Sequence, residues 1–200
     1  ERTGRKVRIR RARQGHPQRW VELARQNAAN ALRMREASAA GLAEQFAELG
    51  RFLGLSAPIG RVECFDVSHT QGEATNASCI VFGPDGPMKA EYRRYNIEGV
   101  ARGDDYGALR QALDRRFRRR KQEGAPLPDV LLIDGGASQL AEAVDVLAGL
   151  AIEIPALAGV AKGADRRAGQ ERIFLAGRRG ASILPADSKA LHLIQLARDE

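Results

Sequence analysis

The segment Pro128-Asp129-Val130-Leu131-Leu132-Ile133-Asp134-Gly135-Gly136 constrains this chain more than any other. Its apolar run has the length of a strand and lacks the alternation of a half-exposed one. It stops at an acid and two glycines. Such a run is typical of a parallel strand covered on both faces, so helices are expected on either side of its sheet. The neighbouring chain supplies them. From Trp20 to Leu53 the apolar spacing is helical (Trp20, Leu23, Ala24, Ala28 and Leu32, then Leu42, Phe46, Leu49 and Leu53), as one long helix or two in series, ended by Gly54, Pro58 and Gly60. After Gly60 the period becomes two. Arg61–Ser68, Ala77–Gly83 and Met88–Asn96 read as strands of an antiparallel meander, the last two joined by the tight turn Gly83-Pro84-Asp85-Gly86-Pro87.

Gly103-Asp104-Asp105 then precedes the stripe Tyr106, Leu109, Leu113 and Phe117, a helix with an aspartate available as N-cap and cations at its C-terminal end. Beyond the apolar run come a helix carrying Leu140, Ala143, Val144 and Leu147, a strand near Ile154–Val160, a hairpin around Glu171–Leu175 and Ala181–Leu184, and a last helix from Asp187. Residues 1–15 suggest a short edge strand. With three strands followed by helix, strand, helix, strand, helix, the right-handed crossover rule places the fourth strand parallel beside the first. The expected fold is therefore α/β: a ribonuclease H-like mixed five-stranded sheet flanked by helices. Two regions are expected, a basic arm and helical segment over 1–58 and the sheet domain over 59–200.

An apolar share of 44% over 200 residues is enough for a core. No apolar stretch approaches the roughly 18 residues a membrane span needs. Cys64 and Cys79 lie among strand-like residues without metal-ligand spacing, and read as reduced core thiols of a cytoplasmic protein. The chain opens Glu1-Arg2-Thr3, which suggests a piece of something longer. Charge is concentrated. Residues 1–20 hold eight basic groups against one acid, the whole of the net +7, and Arg115, Arg116, Arg118, Arg119, Arg120 and Lys121 put six cations into seven positions. Clusters of this kind favour a polyanion through counterion release, although a solvated helix end would look the same.

Two acids stand where acids are costly. Asp66 lies within the otherwise apolar first strand and Asp134 ends the buried one. If those strands are neighbours, the carboxylates converge at one sheet edge and could hold a divalent cation through oxygen. The alternatives are a hydrogen-bonded structural acid for Asp66 and a strand-end turn or helix cap for Asp134. Asp105, with Asp104, could be a third ligand or a cap. Glu73 could face the same edge, whereas His69 and His192 read as packing or surface histidines.

The stretches Glu63–Thr75, Tyr92–Ile97, Gly103–Tyr106, Leu132–Gly136 and Asp187–Glu200, with Val21–Ala28 ahead of them, closely resemble the C-terminal half of the UvrC family, the nuclease subunit of bacterial nucleotide-excision repair. That resemblance implies a ribonuclease H-like endonuclease using Mg²⁺ or Mn²⁺ to make the incision 5′ to a lesion in double-stranded DNA, within a UvrB–DNA complex and as a monomeric fragment. It implies Asp66, Asp134 and Asp105 as catalytic residues, with Asp66 and Asp134 as metal ligands. It also places a catalytic histidine and paired helix-hairpin-helix motifs beyond Glu200, so that this stretch by itself could be inactive. Two other functions fit the same charge pattern: a non-catalytic DNA-docking module, and a domain that engages the UvrB–DNA complex without touching DNA.

Overall fold

The helical spacing after residue 15 produces one helix, α1 (His16–Leu53), and the first period-two segment produces β1 (Val62–His69). The computed structural model describes residues 16–69, 75–101, 103–163 and 170–200, and at 16–18, 31–37 and 69 the backbone alone. The expected edge strand over 1–15 and Glu73 therefore lie outside the described residues. By its contacts the chain divides within α1, between Ala40 and Gly41. In the first unit, Trp20, Val21 and Leu23 on α1 are exposed. The division falls ahead of the boundary expected at 58 because Leu42, Phe46 and Leu49 already pack into the core of the second unit.

In that second unit, β1 is followed by β2 (Thr75–Gly83), β3 (Gly86–Pro87), β4 (Arg93–Asn96), α2 (Asp105–Glu123), β5 (Val130–Ile133), α3 (Ala137–Gly149), β6 (Ala156–Ala161), β7 (Arg172–Leu175), β8 (Ala181–Ser182) and α4 (Lys189–Asp199). The sheet runs β3-β2-β1-β5-β6-β7-β8, with β4 also paired to β2. It is mixed, as expected. β1 pairs antiparallel with β2 and parallel with β5, which in turn is parallel to β6.

The sheet has eight strands where five were expected. Two causes account for the difference. The stretch expected as a tight turn contributes the two-residue β3, paired with β2, and Lys89–Glu91 form a 3-10 turn so that only the end of Met88–Asn96 is strand, as β4. The β7–β8 hairpin joins the sheet along β6, covering an edge that would otherwise be open.

The two faces are filled by different helices. Cys64, Leu132, Ala158, Leu193, Ile194 and the end of α1 form one buried cluster; Phe65, Leu131, Ile133 and the inner sides of α2 and α3 form the other. Strand alternation assigns each sheet residue to one of them. Cys64 and Cys79 are buried and unpaired. No helix among the described residues is long and apolar enough to cross a membrane.

Candidate active site

Asp66 is placed by β1, whose alternation sends Phe65 into the α2–α3 side and Cys64 to the α4 side. By the same alternation Asp66 follows Cys64. Asp134 follows Leu132 to that side. The register pairs Phe65 with Ile133, and the Asp134 amide donates to the Phe65 carbonyl at 2.8 Å, so the parallel ladder continues one step and sets Asp134 beside Asp66. The turn that carries Asp134 is tightly seated. A side chain at Gly159, on the neighbouring β6, would meet the Gly135 carbonyl oxygen at 2.9 Å.

The pair is electrostatically uneven. Burial, and then the Asp134 charge, push Asp66 above its ordinary pKa, and Lys162, Arg198 and the Val67 amide offset only part of that. Asp134 receives a guanidinium from the end of α4, with Arg198 Nη2 at 2.6 Å and Nε at 2.9 Å, both on Oδ1. The side chain of Arg198 is 6% exposed and that of Asp134 22%. A cavity of about 540 Å³ opens over this edge between α4 and the β1-β2-β4 strands, lined by Asp66, Ser78, Tyr92, Arg93, Arg94 and Arg198.

Asp105 opens α2, whose inner side packs against the opposite face, while Asp104 is the cap, accepting the Gly107 amide at 2.9 Å. Among the described residues no three His, Cys, Asp or Glu side chains come together as a metal-holding group. The structure thus joins Asp66 to Asp134 and does not add Asp105 to them. His192 is exposed on α4, its Nε2 3.0 Å from the Ala186 carbonyl oxygen.

The six cations of α2 are not all at a solvated helix end. Arg116 and Arg120 are buried, at 5% and 7% exposure. They fall in phase with Leu109, Leu113 and Phe117 on the inner side of the helix, where Glu63 of β1, fully buried, needs cations. Arg116 makes a bidentate pair with Glu63 (2.9 and 3.0 Å), Arg61 Nε reaches the same carboxylate at 2.8 Å, and Arg120 Nε donates to the Pro126 carbonyl at 2.8 Å. The exposed members also have partners: Arg115 the Asn96 carbonyl and the Tyr95 ring, Arg118 Asp114, Arg119 Glu123, Lys121 the Leu150 carbonyl.

The sequence pattern of this unit matches a known family. The profile of the UvrC RNase H endonuclease domain covers residues 50–200. The UvrABC system protein C of Pseudomonas paraeruginosa is 52% identical over 200 residues, 100% of this chain and 33% of that protein. The chain belongs to the UvrC family. It spans about a third of the length of such relatives; for the Pseudomonas fluorescens protein the figures are 51% identity over 197 residues, 98% of this chain and 32% of that one. Solved structures are more distant. An endonuclease V of Bacillus subtilis aligns at 14% identity and a TM-score of 0.37, over 76% of this chain and 79% of that one. One of Streptomyces avermitilis aligns at 16% and 0.36, over 78% and 82%. With the UvrC family established, the mixed sheet with its β1–β5 parallel pair is the ribonuclease H-like arrangement expected from the order of elements.

Three features were not singled out from the sequence: Arg198, the Glu63–Arg116 pair on the opposite face of the sheet, and Arg94. Only the second left a local signal, an acid at an inward position of a core strand.

Proposed function

We propose that this domain is the divalent-metal-dependent endodeoxyribonuclease that makes the incision 5′ to a lesion in bacterial nucleotide-excision repair, acting in the cytoplasm on damaged duplex DNA presented in a UvrB–DNA complex. The observation that carries it is the side-by-side placement of Asp66 and Asp134 on neighbouring parallel strands, with Asp66 destabilised in its charged form. Two carboxylates kept together in this way are stabilised by a cation, and an all-oxygen donor set suits a hard ion such as Mg²⁺ or Mn²⁺. The residues fit the group. Asp66 and Asp134 would hold it, and when bound it would supply Lewis acidity and an activated water for phosphodiester hydrolysis.

The chain's own residues do the rest. Arg198 fixes Asp134 through Oδ1. The cavity beside them is lined by Arg93, Arg94 and Arg198, which bring positive charge to where the backbone of the DNA would lie. Asp105, as the resemblance implies, would join catalysis from the start of α2. For the full-length protein with UvrB and lesion-bearing duplex, the 5′ cut is expected to stop on chelation and return with Mg²⁺ or Mn²⁺. A full-length protein that binds the complex but makes no 5′ nick with either ion would favour a docking module instead.

Within this reading, DNA contact by the α2 run falls to its exposed members, Arg115, Arg118, Arg119 and Lys121. The Asp114 and Glu123 pairs of Arg118 and Arg119 are solvent-exposed i,i+4 pairs, which phosphates can displace. Replacing Arg118 and Arg119 by alanine should flatten the slope of log affinity against log salt on duplex DNA by up to about 2 units, at roughly 0.9 per phosphate. Adding Arg120→Ala should change stability and leave the slope alone. Equal slopes for wild type and the double variant would remove α2 from the DNA path.

A further inference from the structure

The cations of the α2 run are engaged within the protein; among the described residues a less conspicuous one is not. Of the three arginines lining the cavity over Asp66, Arg198 is neutralised by Asp134, and Arg93 donates Nη1 to the Ala90 and Tyr92 carbonyls at 2.9 and 2.6 Å. The side chain of Arg94, exposed on β4, has no hydrogen-bond or ion-pair partner among the described residues.

The sheet register then places it. Asp66 pairs with Ser78, and Ser78 pairs with Arg94. Residues opposite one another in antiparallel strands project to the same face, so Asp66, Ser78 and Arg94 form one row across β1, β2 and β4. Tyr95, the next residue of β4, goes to the other face and is buried against Phe65. Two strand spacings separate the ends of the row, about 10 Å between backbones, a gap that the long arginine side chain partly spans. Ser78 between them is small, so the row carries a carboxylate at one end and, at the other, a guanidinium with no ion-pair partner among the described residues.

We propose that Arg94 binds a backbone phosphate of the incised strand next to the scissile one, so that the strand lies across the row with the bond to be cut at Asp66. The proposal rests on the nuclease reading above and adds the residue that positions the DNA. A planar guanidinium matches a phosphate bidentately, and such a contact is independent of sequence, as incision at lesions in any context requires.

The test uses the full-length protein with UvrB on lesion-bearing duplex, comparing wild type, Arg94→Gln and Arg94→Lys. The phosphates on either side of the cut are replaced one at a time by neutral methylphosphonates. Arg94→Gln is expected to slow the 5′ incision about ten- to a hundredfold, the worth of one charged hydrogen-bonded contact, with the 3′ cut and the melting curve unchanged. Lysine should restore part of the rate. Wild type should suffer a similar loss when one particular flanking phosphate is neutralised, and Arg94→Gln should show no further loss there. Arg94→Gln should also reduce the salt slope of duplex binding by about 0.9.

An unchanged 5′ rate, or losses that multiply at every phosphate position, would overturn the role of Arg94 while leaving the nuclease intact. If wild type makes no 5′ cut with any divalent ion, the nuclease reading fails instead. In that event the salt slope still decides whether Arg94 touches phosphate.

Discussion

Asp66→Asn in the full-length protein is expected to lower the 5′ incision by roughly 10³-fold, the upper end of what loss of one preorganised electrostatic group costs, while the 3′ incision and binding of the lesion complex survive. Asparagine keeps the size of the side chain and removes the charge that would hold the ion. Its effect on the fold runs the other way. Burial and the neighbouring Asp134 raise the folded-state pKa of Asp66, and the sign of the linkage follows. An acid whose pKa is raised on folding stabilises the fold while protonated and loses that contribution as pH climbs through its folded value, so above that value ionised Asp66 opposes folding. In chelator, Asp66→Asn should melt at or above the wild-type temperature. Adding Mn²⁺ should then raise the melting temperature of wild type by mass action and leave the variant nearly unmoved. Loss of both cuts with a lowered melting temperature would make Asp66 a structural acid.

How far the site was readable depends on which signals are local. An unbroken apolar strand ending in Asp134, and an acid interrupting the apolar first strand at Asp66, are visible in a few residues each, and the crossover rule is enough to make the two strands neighbours. The α2 run misleads because density of charge says nothing about phase. Only when 109, 113, 116, 117 and 120 are set on one side of a helix does it follow that two of the arginines face the sheet, and only Glu63 across from them makes that tolerable. Arg94 and Arg198 are invisible for another reason. The first acquires meaning from the β2–β4 register and the second from the return of α4 to the end of β5, contacts that span 16 and 64 residues respectively. Of the additional strands, β7 and β8 are the hairpin expected around 171–175 and 181–184, while β3 is two residues long, too short for periodicity to register.

The buried half of the α2 run leads to the second large effect. Glu63 has a side chain with 0% exposure, so burial by itself would raise its pKa; the hydrogen bonds and charge of Arg116, then those of Arg61, bring it below the ordinary value instead. Arg116→Met removes the bidentate partner and leaves the carboxylate with Arg61 at 2.8 Å and Arg120 at 3.9 Å. Breaking a buried pair from one side typically costs 3–5 kcal/mol, and with Arg61 still in place the lower end applies. About 3 kcal/mol, or roughly 6–12 °C in melting temperature for a domain of this size, is the expected loss. Arg116→Lys should fall in between, since an ammonium keeps the charge but not the fork. Arg118→Ala and Arg119→Ala, on the solvent side of the same helix, should barely move the transition. The pH dependence identifies the cause. In wild type the depressed pKa of Glu63 contributes stability that is present above the ordinary carboxylate range and is lost as pH falls through the folded value. In Arg116→Met burial prevails, Glu63 protonates more readily, and the deficit against wild type should narrow as pH is lowered through that range. A deficit that stays constant with pH would assign the loss to the packing of the arginine stem, and the ion pair would then contribute nothing to the stability of the fold.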